Sequence, residues 1–187
     1  MRLAECNLRC SYCDTKYAYK TKAELTINDI LDKIAEYYPV NLIEITGGEP
    51  LLQKNVYDLF DELLLQKNQI LLETNGTILM KDVPKPIVKI MDIKTPSSGM
   101  SDKMNWDNLK YLDHKDEIKF VISNKKDFQW AINKIKEYYL INRILLFAPS
   151  YRKLSPKKLA TWILDSGLPI RLNLQLHKLI WKNKRGV

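Results

Sequence analysis

Histidine is almost missing from this chain, with His114 and His177 the two copies in 187 residues, and cysteine stops at three. Two imidazoles so far apart show no local ligand spacing. An odd thiol count with no export signal argues against a disulfide framework and for a reducing compartment. No run of about twenty apolar residues exists, so nothing in the sequence spans a membrane. The opening Met1-Arg2-Leu3-Ala4-Glu5-Cys6 is too short and polar for a secretory signal. A cytoplasmic protein without membrane attachment is the expectation. Linkers, repeats and low-complexity segments are also lacking, so the whole of 1–187 reads as one domain, able to bury roughly 70% of its unfolded surface.

Acidic residues are the minority among the charged ones: 30 Lys and Arg face 22 Asp and Glu, for a net charge of +8. Such an excess can mark a polyanion-binding surface. Here the basic residues are spread out, with only short clusters at Lys125-Lys126, Lys157-Lys158 and Lys182 to Arg185. No basic stretch is interleaved with aromatics in the RNA-binding manner. The charge therefore reads as a solvated lysine-rich face, and direct nucleic-acid binding is not expected.

What is present is a series of short aliphatic runs: Leu42 to Ile45, Ile70 to Leu72, Val88 to Ile93, Ile118 to Ile122, Ile144 to Phe147 and Ile170 to Leu174. Each is too short for a helix and rich in Ile, Leu and Val, as buried strands are. Leu3 to Ala4 could be the tail of a first strand. Amphipathic segments lie between the runs. One starts at Thr26, with Asp29 completing an imperfect capping box. Others cover Tyr57 to Gln66 and Asp127 to Tyr139, the latter turning Trp130, Ala131, Ile135 and Tyr138 inward. The last begins at Ser155-Pro156 and stops at Gly167. Repeated strand–helix–strand units imply parallel strands. The length suits an α/β fold, either an incomplete (partial) β/α barrel or an open sheet. In such folds ligands bind at the carboxyl ends of strands. Thr46-Gly47-Gly48-Glu49-Pro50, Glu73-Thr74-Asn75-Gly76 and Lys94-Thr95-Pro96-Ser97-Ser98 all fall there.

The three cysteines, Cys6, Cys10 and Cys13, form a single Cys-x3-Cys-x2-Cys loop. A structural zinc site wants four ligands, usually as two pairs. Asn7, Arg9 and Ser11 between the thiols argue for a loop instead of a core stripe. An iron–sulfur cluster with one iron left open fits three thiolates better. The glycine pair Gly47-Gly48 follows a buried strand, where it permits close backbone approach to a ligand or makes an ordinary strand-to-helix turn.

Cys6 to Cys13, with the aromatic Tyr12 before the third cysteine, resembles the signature loop of the radical S-adenosylmethionine (SAM) superfamily. Thr46 to Pro50, about thirty residues downstream, resembles its Gly-Gly-Glu-Pro segment. The resemblance implies a [4Fe-4S] cluster on Cys6, Cys10 and Cys13, with SAM on the fourth iron. It also implies an adenosyl radical that abstracts a substrate hydrogen. Asp14-Thr15-Lys16-Tyr17-Ala18, the Thr46 version of the glycine motif, Glu73 to Gly76, Asp92 to Ser98 and Gln175-Leu176-His177-Lys178 narrow this. Together they are similar to the 7-carboxy-7-deazaguanine synthase family of queuosine and 7-deazapurine biosynthesis. That family converts 6-carboxy-5,6,7,8-tetrahydropterin to 7-carboxy-7-deazaguanine by radical ring contraction with loss of ammonia, using Mg2+ and regenerating SAM.

The resemblance also implies roles. Thr15 matches the hydroxyl that ligates Mg2+, an ion that favours oxygen ligands and keeps other positions for substrate and water. Tyr12, Asp14, Gly48, Asp92, Ile93 and Lys94 match SAM-contacting positions, and Glu73 reads as a further cofactor-pocket residue. Arg2 and Thr46 match substrate contacts: an arginine suits a carboxylate and a threonine a pterin-edge hydrogen bond. Gln175 is a further substrate candidate, or orders the last strand. His177 reads as structural, and Trp106, Trp130, Trp162 and Trp181 as packing residues. An electron donor such as flavodoxin or ferredoxin and a homodimer are further implications. The family pattern includes an upstream strand and a Gln-Gly-Glu-Gly segment, so the first strand is expected to be truncated in this chain. Two other readings share part of the motif set. One is a radical SAM activase or peptide-modifying enzyme. The other is a non-catalytic, metal-stabilised nucleic-acid-binding module.

Overall fold

Short runs of Ile, Leu and Val become strands because alternate side chains can serve two different environments, one packed against helices and one facing inward. The computed structural model describes residues 1–20, 23–182 and 184, so the basic cluster from Lys182 to Arg185 lies partly outside the described residues. Its strands are β1 (Arg2–Leu3), β2 (Leu42–Gly47), β3 (Gln69–Thr74), β4 (Val88–Ile93), β5 (Glu117–Ile122), β6 (Ile144–Pro149) and β7 (Ile170–Leu172). All neighbours are parallel and lie in sequence order from β1 to β7, in one open sheet with β1 and β7 at its edges. This is the partial β/α barrel expected from the sequence.

The helices are α1 (Ile27–Ala35), α2 (Val56–Leu65), α3 (Lys125–Glu137), α4 (Pro156–Ser166) and a short α5 (Leu176–Ile180). The capping box of α1 is complete: Thr26 Oγ1 accepts from the Asp29 N–H, and Asp29 Oδ2 accepts from the Thr26 N–H. α4 has its serine cap at Ser155 and its left-handed glycine at Gly167. Four local expectations need correction. α3 begins at Lys125 and not Asp127, because Asn124 supplies the cap by accepting from the Asp127 N–H. The last strand stops at Leu172, two residues early. No α-helix joins β3 to β4 or β4 to β5; Pro84 and Pro86 disfavour one in the first connection, and the second carries only short 3-10 turns at Pro96–Ser98, Ser101–Lys103 and Trp106–Tyr111. Trp181 does not pack, being 46% exposed beyond α5, whereas Trp106, Trp130 and Trp162 lie against the core.

The alternation in β5 shows how the fold creates a site. Ile118, Phe120 and Ile122 are fully buried, and Phe120 meets Phe147 of β6 edge-on at 5.3 Å between centroids. Phe128 of α3 and Trp162 of α4 extend that aromatic contact outward. The intervening Glu117, Lys119 and Val121 face a cavity on the other side. β4 adds an ion pair to the buried layer. Lys89 Nζ sits 2.9 Å from Asp116 Oδ2, with side chains 4% and 0% exposed. Asp116 also accepts from the N–H groups of Lys89 and Asp113. Removing one partner strands the other's charge in the core. Asp116→Ala is therefore expected to cost about 3–5 kcal/mol of stability, measured by urea denaturation.

Candidate active site

The carboxyl ends of the strands surround one cavity of about 420 Å³. A tight cysteine loop forms part of its wall. Glu5 adopts a left-handed φ of 68° and turns the chain from β1 into the loop. Cys13 N–H closes on the Cys10 carbonyl at 3.2 Å. Arg9 Nη1 donates to the carbonyls of Cys6 (2.6 Å) and Leu8 (2.8 Å), and its guanidinium lies over the Tyr19 ring. Ser11 pins the loop to the segment after β4 through its N–H to the Ser98 carbonyl and its hydroxyl to the Ser97 carbonyl.

The glycine turn after β2 needs both of its glycines. A Cβ on Gly47 would overlap the Leu3 backbone, and one on Gly48 would overlap the Glu5 carbonyl and press on Cys6 Cβ. Next in the chain, Glu49 is 0% exposed. Its carboxylate accepts from the Leu51 N–H (3.1 Å), the Thr74 hydroxyl (2.8 Å) and the Asn75 N–H (2.7 Å). Its own N–H donates to the Glu5 carbonyl at 2.7 Å. Burial pushes its carboxyl up, against those hydrogen bonds.

Inside the cavity, charges are paired across strands. Lys119 Nζ of β5 lies 2.5 Å from Glu73 Oε1 of β3, and Glu73 Oε2 accepts from the Thr46 hydroxyl of β2 at 3.0 Å. Burial raises the Glu73 carboxyl, but Lys119 outweighs it and holds the group at about 2. Burial lowers Lys119 while Glu73 takes it up to about 12. Glu44 beside them is raised, first by burial and then by the Glu73 charge. Further along, Asp92 Oδ2 pairs with Lys94 Nζ at 2.9 Å, while Asp92 Oδ1 is buried with no hydrogen-bond partner among the described residues. At the open side, Asp14 Oδ2 meets Gln175 Nε2 (3.2 Å), His177 Nε2 (3.4 Å) and Lys178 Nζ (3.3 Å), tying the segment after β7 to the cysteine loop.

The structure brings nearly all of the sequence-derived site residues to this cavity. Cys6, Cys10, Cys13, Tyr12, Asp14, Thr15, Arg2, Thr46, Gly48, Glu73, Asp92, Lys94 and Gln175 all line it. Ile93 does not; its side chain is fully buried in the core, on the face of β4 away from Asp92. Sequence reading missed Glu44, Glu117, Lys119 and Ser150, gave Asn75 no role of its own within its motif, and set His177 aside, yet all six line the cavity. For Glu44, Glu117 and Lys119 the signal was available: each is a polar position two residues from another cavity-lining one in a strand of period two.

The donor set suits an iron–sulfur cluster binding SAM. No three His, Cys, Asp or Glu side chains among the described residues converge as a single-ion site, whereas all three thiols border one roomy cavity. Burial pushes the Cys10 thiol up, so a cationic iron centre is what would hold it as thiolate. Asp92 Oδ1 supplies an acceptor with no protein donor.

A sequence model of the radical SAM superfamily matches residues 3–148. A 7-carboxy-7-deazaguanine synthase of Koribacter versatilis is 37% identical over 196 residues, covering 97% of this chain and 87% of that one. The 7-carboxy-7-deazaguanine synthase of Leptospira interrogans is 40% identical over 211 residues, covering 100% and 88%. Among solved structures, QueE from Escherichia coli superposes with a TM-score of 0.70 at 20% identity, over 93% of this chain and 83% of that one. Streptococcus suis SuiB bound to S-adenosylmethionine gives 0.62 at 15% identity, over 91% and 48%. At these identities the two structures speak for the fold.

The Glu73–Lys119 pair gives a test with a definite pH sign. With Lys119 present, the Glu73 contribution is in place above the ordinary carboxylate value of about 4.3 and is lost only as pH falls through about 2. In Lys119→Met, burial is opposed only by the more distant Lys94 and the Thr46 hydrogen bond, so the Glu73 carboxyl moves upward. The variant is expected to lose about 2–3 kcal/mol at pH 7 and less near pH 4, where Glu73 can take a proton. Urea denaturation at the two pH values measures this.

Proposed function

The chain belongs to the radical SAM superfamily and, within it, to the 7-carboxy-7-deazaguanine synthase family, and on that premise we propose that it converts 6-carboxy-5,6,7,8-tetrahydropterin to 7-carboxy-7-deazaguanine by Mg2+-dependent radical ring contraction, releasing ammonia. The observation that carries the reading is the meeting of the three-cysteine loop, the glycine turn and a charged barrel lumen in one cavity at the strand ends. Residues 1–187 act as one domain in this reading.

Cys6, Cys10 and Cys13 would hold the [4Fe-4S] cluster. Bound there with SAM, it supplies one electron to the sulfonium and so an adenosyl radical for hydrogen abstraction. The protein's own part is binding and orientation. Gly48 lets the backbone come close to SAM; Asp92 offers its unpartnered Oδ1 as an acceptor, while its Oδ2 is held by Lys94 Nζ. Tyr12, Asp14 and the Ile93 backbone complete the SAM side. Thr15 offers its hydroxyl to Mg2+. Arg2 pairs with the substrate carboxylate in the bidentate manner of guanidinium. Because the Thr46 hydroxyl hydrogen is committed to Glu73, Thr46 presents lone pairs to the cavity and selects an N–H on the pterin edge. Gln175, held by Asp14, closes the open side over the substrate. Leu8, Ile90, Val121 and Leu146 in the same wall keep water from the reacting centre.

A small electron carrier such as flavodoxin or ferredoxin, a homodimeric state and a cytoplasmic location complete the proposal and rest on the family. Among the described residues no helix is long and apolar enough to cross a membrane. The peptide-modifying alternative gains no support from SuiB, of which the chain spans 48% against 87% of the synthase from Koribacter versatilis.

Anaerobic reconstitution with iron and sulfide, followed by reductant, SAM, Mg2+ and the carboxy-tetrahydropterin, is expected to yield 7-carboxy-7-deazaguanine by mass spectrometry. Cys10→Ala is expected to bind no cluster. Thr15→Val is expected to raise the Mg2+ concentration for half-maximal turnover on the order of tenfold. SAM cleavage without pterin conversion would point to a different radical SAM substrate.

A further inference from the structure

Asn75 follows β3 and is 6% exposed, yet its backbone and side chain serve different partners. The N–H donates to Glu49 Oε2 at 2.7 Å. The side-chain amide joins a small closed network with Asn7 and Thr77. Asn75 Oδ1 accepts from both the N–H and the hydroxyl of Thr77, at 3.0 and 2.7 Å. Asn75 Nδ2 donates to Asn7 Oδ1 at 2.9 Å, and Asn7 Nδ2 donates to the Thr77 hydroxyl oxygen at 2.7 Å. This network decides which way the Asn75 amide faces. A backbone N–H can only donate, so the group opposite Thr77 N–H must be the oxygen. The NH2 then points to the cysteine loop. One of its hydrogens serves Asn7, and the other is left for Cys6 Sγ, 3.8 Å away. The Leu8 N–H gives the same sulfur a second donor at 3.4 Å.

We propose that Asn75 sets the reduction potential of the cluster held by Cys6, through a side-chain N–H···S hydrogen bond to that ligand sulfur. The proposal rests on the reading that Cys6, Cys10 and Cys13 carry a [4Fe-4S] cluster. When one electron from an external reductant takes the cluster from its 2+ to its 1+ state, negative charge on the ligand sulfurs grows. A donor aimed at a sulfur stabilises the reduced form more than the oxidised one and moves the potential upward. Asn75 does not touch the reacting atoms; it acts through Cys6 and is held in place by Thr77 and Asn7. The same residue anchors the strand end to Glu49, so the cysteine loop and the glycine turn share one donor residue.

The test is a redox titration of the reconstituted protein, read by the electron paramagnetic resonance signal of the reduced cluster. Asn75→Leu, with iron and sulfide content equal to the native protein, is expected to reach half-reduction at a more negative potential. Thr77→Val keeps the Thr77 N–H and so the Asn75 orientation, and is expected to titrate with the native protein. Should Asn75→Leu fail to hold the cluster, Asn75→Asp keeps the size and the Thr77 contacts while replacing the donor with a carboxylate. It is expected to shift the midpoint negatively as well. Midpoints equal to the native value in the cluster-bearing Asn75 variant overturn the proposal while leaving the cluster reading intact. A native protein that takes up no cluster overturns both.

Discussion

The buried carboxylate of Glu49 is the joint on which the site depends. It is placed by a turn that tolerates only glycine at two positions, because β1 and the start of the cysteine loop run directly against it. From there it gathers donors from its own turn and from the end of β3, while its N–H holds the Glu5 carbonyl just before Cys6. Three structural units that are far apart in sequence thus meet on one residue. A fully buried carboxylate is costly to desolvate, which is why each of its contacts matters. Lose one, and a buried charge is left short of partners. The Asn75 backbone is held at the same joint, while Thr77 and Asn7 orient the side chain that donates toward Cys6.

A second constraint is electrostatic. The inner face of the sheet carries Arg2, Glu44, Glu73, Asp92, Lys94, Glu117 and Lys119 around one cavity, and a partly buried charge persists only when paired. Thr46 to Glu73 to Lys119 crosses from β2 to β5, and Asp92 near the end of β4 pairs with Lys94 just beyond it. Pairing fixes hydrogen-bond polarity as well as charge. Thr46 is made an acceptor toward the cavity, and one buried oxygen of Asp92 is left without a donor among the described residues. The lumen is therefore organised before any ligand arrives, which lowers the reorganisation needed when one binds.

Much of this was legible in the residues. Aliphatic runs located six of the seven strands, and the Ser155 and Gly167 caps bounded α4. The cysteine spacing and the glycine pair located the cavity wall. Pairings between distant residues were not legible. Lys89 sits in a run that reads as aliphatic, and only the fold reveals Asp116 opposite it. Lys119 looked like a polar interruption of a core strand until the sheet turned it toward Glu73. His177 follows the last strand and reads as structural, yet the chain folds it back to Asp14 and the cavity. Ile93 shows the converse: adjacency to Asp92 and Lys94 in a motif does not place its side chain on their face, because strands alternate, which leaves its backbone as the part that can reach the cavity. Local chemistry is written in local sequence, whereas cross-strand partners depend on register.

These features converge on one cavity with the cysteine loop as one wall and the strand ends as the rest, the place where the proposed function puts cluster, SAM and substrate. The most direct measurement is the electron paramagnetic resonance spectrum of the reduced, reconstituted protein with and without SAM. Direct ligation of SAM by the iron that lacks a cysteine is expected to change the g-values of the reduced cluster at saturating SAM. A cluster spectrum that stays the same at all SAM concentrations would contradict the account.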